Sequence, residues 1–208
     1  MKNYIIYYLY TLKYTFTILF NYLFAKDDYQ QSLHSAEWFA FKEHFKARQR
    51  YDKKYPYYYH LCMVCDNVKR FGKNLNREEF RIVYITALLH DFIEDLTFTY
   101  NDIKDLFGIE IADAVFACTE LRGKNRRERH GPLYYKGLGE NRHGGFVKLC
   151  DVHANMTMGK RTGSRMLDMY QKDYPFFKKK LTMYTTEFKD VFQSIEFELM
   201  PASTRGTY

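Results

Sequence analysis

Between Asn76 and Asp95 the chain reads NREEFRIVYITALLHDFIED. Phe80, Val83, Tyr84, Ala87 and Leu88 recur at i, i+3, i+4, i+7 and i+8, the period of a helix with one buried face, and the polar start supplies a capping residue. The end of this segment constrains the fold most. His90, Asp91, Glu94 and Asp95 arrive within six residues where the spacing predicts a helix interior. An unpaired charge buried there costs several kcal/mol, so the fold must bring partners of opposite sign, or a cation, to this one place.

The remaining segments carry the same helical period. AEWFAFKEHFKARQRY predicts a helix after KDDYQQS, which reads as a linker or loop. DKKYPYYYH interrupts it at Pro56, and the stretch from Tyr58 to Phe71 predicts a further helix ended by the glycine of FGKN. Short helices are expected at TYNDIKDLF and EIADAVFACTEL, a loop with short helical pieces from Arg122 to Gly145, a helix at FVKLCDVHANMTMG, and two more within 163–200. No strand signal is strong, which predicts an all-α bundle. The division expected is an N-terminal aromatic-rich helix and linker over 1–28, one domain over 29–200 and a short tail over 201–208.

The N-terminal segment IIYYLYTLKYTFTILFNYLF is long enough at helical rise to span a bilayer, but Lys13 interrupts it and its apolar content leans on tyrosine. The first reading is an amphipathic helix packed on the domain or against a second copy in a homo-oligomer. Association of residues 1–24 with a membrane surface, an anchor or a signal segment are the alternatives. The formal charge of +7 favours polyanions, which include nucleotides, nucleic acids and anionic membranes. Four cysteines are too sparse for the disulfide framework of a small secreted domain and point to a reduced, cytoplasmic setting. Cys62 and Cys65 have the spacing of a zinc or redox pair, yet lie on an expected helix face and read as core. RGKNRRER reads as a phosphate-facing loop or solvated surface rather than a nucleic-acid platform. His34 and His44 read as structural or exposed, and His130, His143 and His153 as residues able to approach a substrate.

Imidazole and carboxylate are borderline donors, suited to manganese, iron or zinc. His90 and Asp91 cannot complete a coordination sphere alone. His60, thirty residues earlier, and Asp151, sixty residues after Asp91, are candidates to join them if the helices converge; the alternative is a helix-start histidine and a local cap or salt bridge.

The succession PYYYH, LLHDFIED and VKLCDVHAN resembles the HD-domain metal-dependent phosphohydrolases, and among them the alarmone hydrolases: the hydrolase halves of Rel/SpoT enzymes and their small stand-alone relatives. The resemblance covers roughly Ala40 to Gly159. It implies an HD-type helical bundle, a divalent cation, usually manganese, on His60, His90, Asp91 and Asp151, and Glu94 and Asp95 as the catalytic pair that positions or activates water. It further implies Asn155 near the substrate sugar or phosphate and a basic residue, best matched by Arg50, against the base or phosphates. Lys148 is expected at a phosphate or on a solvated helix face. The substrate implied is guanosine 5′-diphosphate 3′-diphosphate, cleaved to GDP and pyrophosphate. Another phosphorylated nucleotide is the alternative substrate, and an idle nucleotide-binding scaffold or a membrane-associated or nucleic-acid-binding module the alternative function.

Overall fold

The computed structural model describes residues 2–164 and 166–200; the expected tail over 201–208 lies outside them. The chain forms α1 (Lys2–Leu23), α2 (Asp28–Lys46), a hairpin of β1 (Arg50–Tyr51) and β2 (Tyr55–Pro56), and α3 (Tyr58–Phe71). There follow α4 (Arg77–Leu89), α5 (Phe92–Asp95), α6 (Tyr100–Phe107), α7 (Ile109–Cys118), α8 (Arg126–Arg129) and α9 (Pro132–Glu140). The chain then runs through α10 (Arg142–Thr162) and α11 (Met166–Lys180), a 3-10 turn at Thr182–Tyr184, and α12 (Lys189–Leu199). The expected all-α bundle is what forms, with a two-stranded hairpin as its sole sheet among the described residues.

Helix α10 is the axis of the bundle. It packs against α3, α4, α7, α9, α11 and α12, and buries residues around its whole circumference, from Phe146 and Leu149 to Met156 and Met158. A helix enclosed on every side has no solvated face on which to keep polar groups, so the Lys148, Asp151 and His153 it carries must find partners inside. The stretch 122–145 is more ordered than its glycines suggest. Gly144 and Gly145 lie within α10, where a Cβ would meet the Ala114 carbonyl oxygen at 2.8 Å or the Tyr184 ring at 2.4 Å. These glycines serve close packing.

Two other expectations need correction. KDDYQQS is the start of α2: Asp27 caps it by accepting from the Gln30 amide at 2.8 Å and is held by Arg77. The helix predicted from Asn76 through Asp95 breaks at His90–Asp91. Asn76 caps α4 in a reciprocal capping box with Glu79, but Asp91 adopts φ −98°, ψ 2°, and α5 begins after it. That bridge conformation is sparsely populated and common among active-site residues.

Helix α1 lies on α2 and β2 through Tyr7, Thr11, Tyr14 and Ile18, with the Tyr14 ring edge-on to Tyr58. No helix among the described residues is long and apolar enough to cross a membrane.

Candidate metal centre

The helix break and the central helix converge on α3. His60 sits in the first turn of α3, His90 and Asp91 at the break after α4, and Asp151 midway along α10, each with at most 8% of its surface exposed. His60 Nε2 lies 3.7 Å from Asp91 Oδ2 and 3.2 Å from Asp151 Oδ1; His90 Nε2 lies 2.9 Å and 3.7 Å from the same two oxygens. One ligand-capable atom each of His60, His90 and Asp91 falls within 4.8 Å of the others.

Hydrogen bonding around the cluster fixes what it can hold. His90 Nδ1 is 2.9 Å from the Ala87 carbonyl oxygen, an acceptor only, so that nitrogen carries the proton and Nε2 turns to the carboxylates. Buried His90 Nε2 has no hydrogen-bond partner. A lone pair facing two carboxylates is stable only with a positive charge between them. A divalent cation fits there, and His60, His90 and Asp91 are placed to offer it donor atoms, with Asp151 alongside. Without a cation a proton takes that role: burial lowers the basicity of His90, but Asp91 and Asp151 outweigh it and hold the imidazole well above its ordinary range. Burial likewise works against the charge of Asp91, yet His90 keeps that carboxyl below its usual range.

A second ring of residues orients these donors. The Tyr57 hydroxyl donates to Asp91 Oδ2. Asn155 Nδ2 donates to Asp151 Oδ1 at 2.6 Å while its Oδ1 accepts from the Tyr51 hydroxyl at 3.0 Å. Tyr51 stacks on His60 with ring centroids 4.8 Å apart. The hairpin holds it there, its turn made by Asp52 and Lys53 at positive φ. Lys148 is buried rather than solvated, its Nζ 3.1 Å from Asp151 Oδ2. Burial opposes its charge, but Tyr134, Asp151 and Glu94 hold its pKa well above the usual lysine value.

Glu94 and Asp95 stand at the exposed rim. Although water reaches them, partial burial pushes the Glu94 carboxyl up to about 7, against the pull of Lys148 and with the repulsion of Asp91. Glu94 Oε1 accepts from the Glu120 amide at 2.5 Å. Enclosure also raises Asp95, which accepts from Gln49 Nε2 at 2.6 Å; Gln49 in turn contacts buried His44, stacked on Tyr57.

The candidate residues do not all gather. The Arg50 guanidinium lies 4.6 Å from the Tyr7 ring centroid, on the α1 side of the hairpin. His153 Nε2 is 2.8 Å from Ser194 Oγ, toward α12, and His143 is in the first turn of α10. His130 instead pairs with Glu120 at 2.6 Å and lines a small pocket of about 20 Å³ with Tyr134, Lys148 and Tyr170. Through Arg126 and Asp173 that pocket shares walls with a groove of about 700 Å³ between α8 and α11, where Arg127, Lys172 and Lys180 stand. Cys62, Cys65, Cys118 and Cys150 are free thiols, and burial pushes Cys62 up to about 12, the behaviour of packing residues. Tyr57 belongs to the run Tyr57–Tyr59 that the sequence places around the site, one helical turn ahead of His60, whereas Tyr51 and Gln49 carry no local signal.

A helical bundle with a histidine–aspartate cluster where three helices meet defines a class of fold, and the HD domain model matches residues 57–172. The chain belongs to the HD-domain family. It is also similar in structure to a metazoan ortholog of SpoT that hydrolyzes ppGpp and plays a role in starvation responses, with 20% sequence identity, 81% of this chain and 91% of that chain covered, and a TM-score of 0.58. At that identity the likeness is one of fold.

Proposed function

We propose that this protein is a manganese-dependent 3′-pyrophosphohydrolase of guanosine 5′-diphosphate 3′-diphosphate. The observation that carries the reading is the convergence of His60, His90, Asp91 and Asp151 on one buried point, with a carboxyl of raised pKa, Glu94, at its rim. The fold likeness to a ppGpp-hydrolysing ortholog of SpoT supports the choice of substrate.

His60, His90, Asp91 and Asp151 would hold the divalent cation, which when bound would supply Lewis acidity for activating water and for polarising a phosphoryl oxygen. Glu94 then accepts the proton of the attacking water at its carboxylate, a task suited to a group titrating near neutrality. Asp95, fixed by Gln49, orients that water. Lys148 draws negative charge toward the buried end of the site, and Asn155 keeps Asp151 in its rotamer. One water is consumed: its oxygen joins the phosphorus next to ribose O3′, the O3′–phosphorus bond breaks, and O3′ takes a proton, giving GDP and pyrophosphate. The 5′-diphosphate is assigned to the groove between α8 and α11, where Arg127 and Lys172 stand.

One observation favours a different nucleotide of the same class: Arg50 is engaged with Tyr7, so base recognition differs from what the family resemblance implies. The test is release of pyrophosphate, resolved from single phosphate, by metal-stripped protein resupplied with manganese, beside Asp91→Ala. Pyrophosphate from the intact, loaded protein alone is the expected result. Turnover of another 3′-phosphorylated nucleotide in its place would move the substrate, and turnover of none would overturn the reading.

A further inference from the structure

Helix α1 has two apolar seams, of which the domain uses one. Tyr7, Thr11, Tyr14 and Ile18, at steps of four, three and four, face inward onto α2, α3 and the hairpin. On the outer side Ile5, Leu9, Leu12, Phe16, Leu19 and Leu23 follow at four, three, four, three and four, and each exposes 50–73% of its surface. A strict alternation of three and four is the 3.5-residue period of a helix–helix seam, running here for about 27 Å of helix. Exposed apolar surface of this extent and regularity marks a contact.

The make-up of α1 distinguishes between occupants. A helix that lies in a lipid surface carries lysines and arginines on its other face, but the other face of α1 is packed on the protein and Lys13 is its only charge in the described stretch beyond Lys2. No helix among the described residues is long and apolar enough to cross a bilayer. The heptad spacing, by contrast, fits another helix, and a seam whose own residues interdigitate with an identical seam satisfies a two-fold interface with a single sequence. Tyr8 and Tyr22, exposed at the edges of the stripe, give such an interface a rim able to meet water.

We infer that α1 is a dimerisation helix, whose outer seam from Ile5 to Leu23 packs against the same seam of a second copy of this chain. The inference stands apart from the substrate reading and holds whatever the nucleotide is.

Light scattering after gel filtration and sedimentation velocity on the full chain test it. The expected result is a dimer, with Leu12→Glu and, separately, Phe16→Glu weakening association by about 100-fold or more, since each sets a charge in an apolar seam. Both side chains are among the most exposed on α1, so far-ultraviolet circular dichroism and manganese binding should stay as in the parent; if either variant misfolds, Leu19→Ser, also exposed, provides the milder measurement. A monomer at every accessible concentration, or a dimer that Leu12→Glu and Phe16→Glu leave intact, would overturn the proposal. Sedimentation of a monomer with vesicles of mixed neutral and anionic phospholipid, abolished by the same substitutions, would overturn it in favour of a lipid surface.

Discussion

The Tyr57 hydroxyl and the Asp91 carboxylate meet at Oδ2, the same oxygen that faces His60 and His90. A donor on that oxygen fixes the direction in which Asp91 presents its remaining lone pairs. Hydrogen bonds to ligand side chains of this kind are worth roughly 10- to 100-fold in metal affinity. Tyr57→Phe keeps the ring against His44 and removes only the hydroxyl. Manganese affinity, read from the free-ion paramagnetic resonance signal, should fall within that range while helix content is unchanged; an unaltered affinity would show that the hydroxyl contributes nothing to the site.

Asp91 and Glu94 are three residues apart and should fail differently. Asp91 faces both histidines, so Asp91→Ala should lose the metal and all turnover together. Glu94 faces the rim and the Glu120 amide, so Glu94→Gln should retain manganese and lower kcat by roughly 100- to 10,000-fold, the usual contribution of a general base. Metal content by elemental analysis, beside single-turnover rates, separates the two. Loss of metal from a folded Glu94→Gln protein would move that carboxylate into the ligand set.

What could be read before the structure depended on whether a signal was local. Helix periodicity and the run of His, Asp and Glu in HDFIED are properties of short windows, so α3, α4, α7 and His90 to Asp95 were legible from them, while His60 and Asp151 joined that run only through the family resemblance. The break at His90–Asp91 was not, because the apolar period runs up to it and what bends the backbone there is the tertiary demand of bringing the pair to His60 and Asp151. Gly144 and Gly145 misled for a related reason: glycine reads as loop unless the neighbour that requires its missing Cβ, here Tyr184 about forty residues on, is known. Tyr51 and Asn155, 104 residues apart, touch because a hairpin too short to give a strand signal folds over α3. Among twenty tyrosines, nothing local marks out Tyr51, whereas Tyr57 stands one helical turn ahead of His60.

The pH dependence follows from Glu94. Burial pushes its carboxyl up to about 7, and as the proposed base it must be ionised to accept a proton, so kcat/KM should rise as pH increases through the neutral range and level off above it. Bound manganese, being positive, draws that limb to lower pH. The manganese-loaded protein should therefore show an acidic limb at or below neutrality, and Glu94→Gln a flat, low profile across it. A limb that survives unchanged in Glu94→Gln would assign the titration to another group.

Acid stability should report on Glu120. Burial opposes its charge, but the His130 hydrogen bond, Lys148 and Arg129 hold it down to about 2 from its ordinary 4.5. A carboxylate lowered in the folded state contributes stability that is complete above the unfolded value and is lost as pH falls through the folded one. The urea midpoint of the parent should thus decline between about pH 4.5 and 2 by more than that of Glu120→Gln, which lacks this titration and starts lower. Equal declines in the two proteins would mean that the Glu120 cluster does not hold α8 to the bundle.

The groove between α8 and α11 makes the last prediction. Arg127 and Lys172 line it, while Arg126 is committed to Asp173 at 2.8 Å and Arg129 to Glu120 at 2.6 Å. If the distal diphosphate of the substrate lies there, reversing one of these charges removes an attraction far from the reacting phosphorus. Such a contact is made equally in the ground state and the transition state, so Arg127→Glu and Lys172→Glu should each raise KM by roughly 10-fold with kcat held within a factor of about two. The effect should shrink as salt is added, because exposed charges are screened over about 8–10 Å at moderate ionic strength. A fall in kcat at unchanged KM would place the groove in the positioning of the reacting end, and no change in either would leave the phosphates to Lys148 and its neighbours alone.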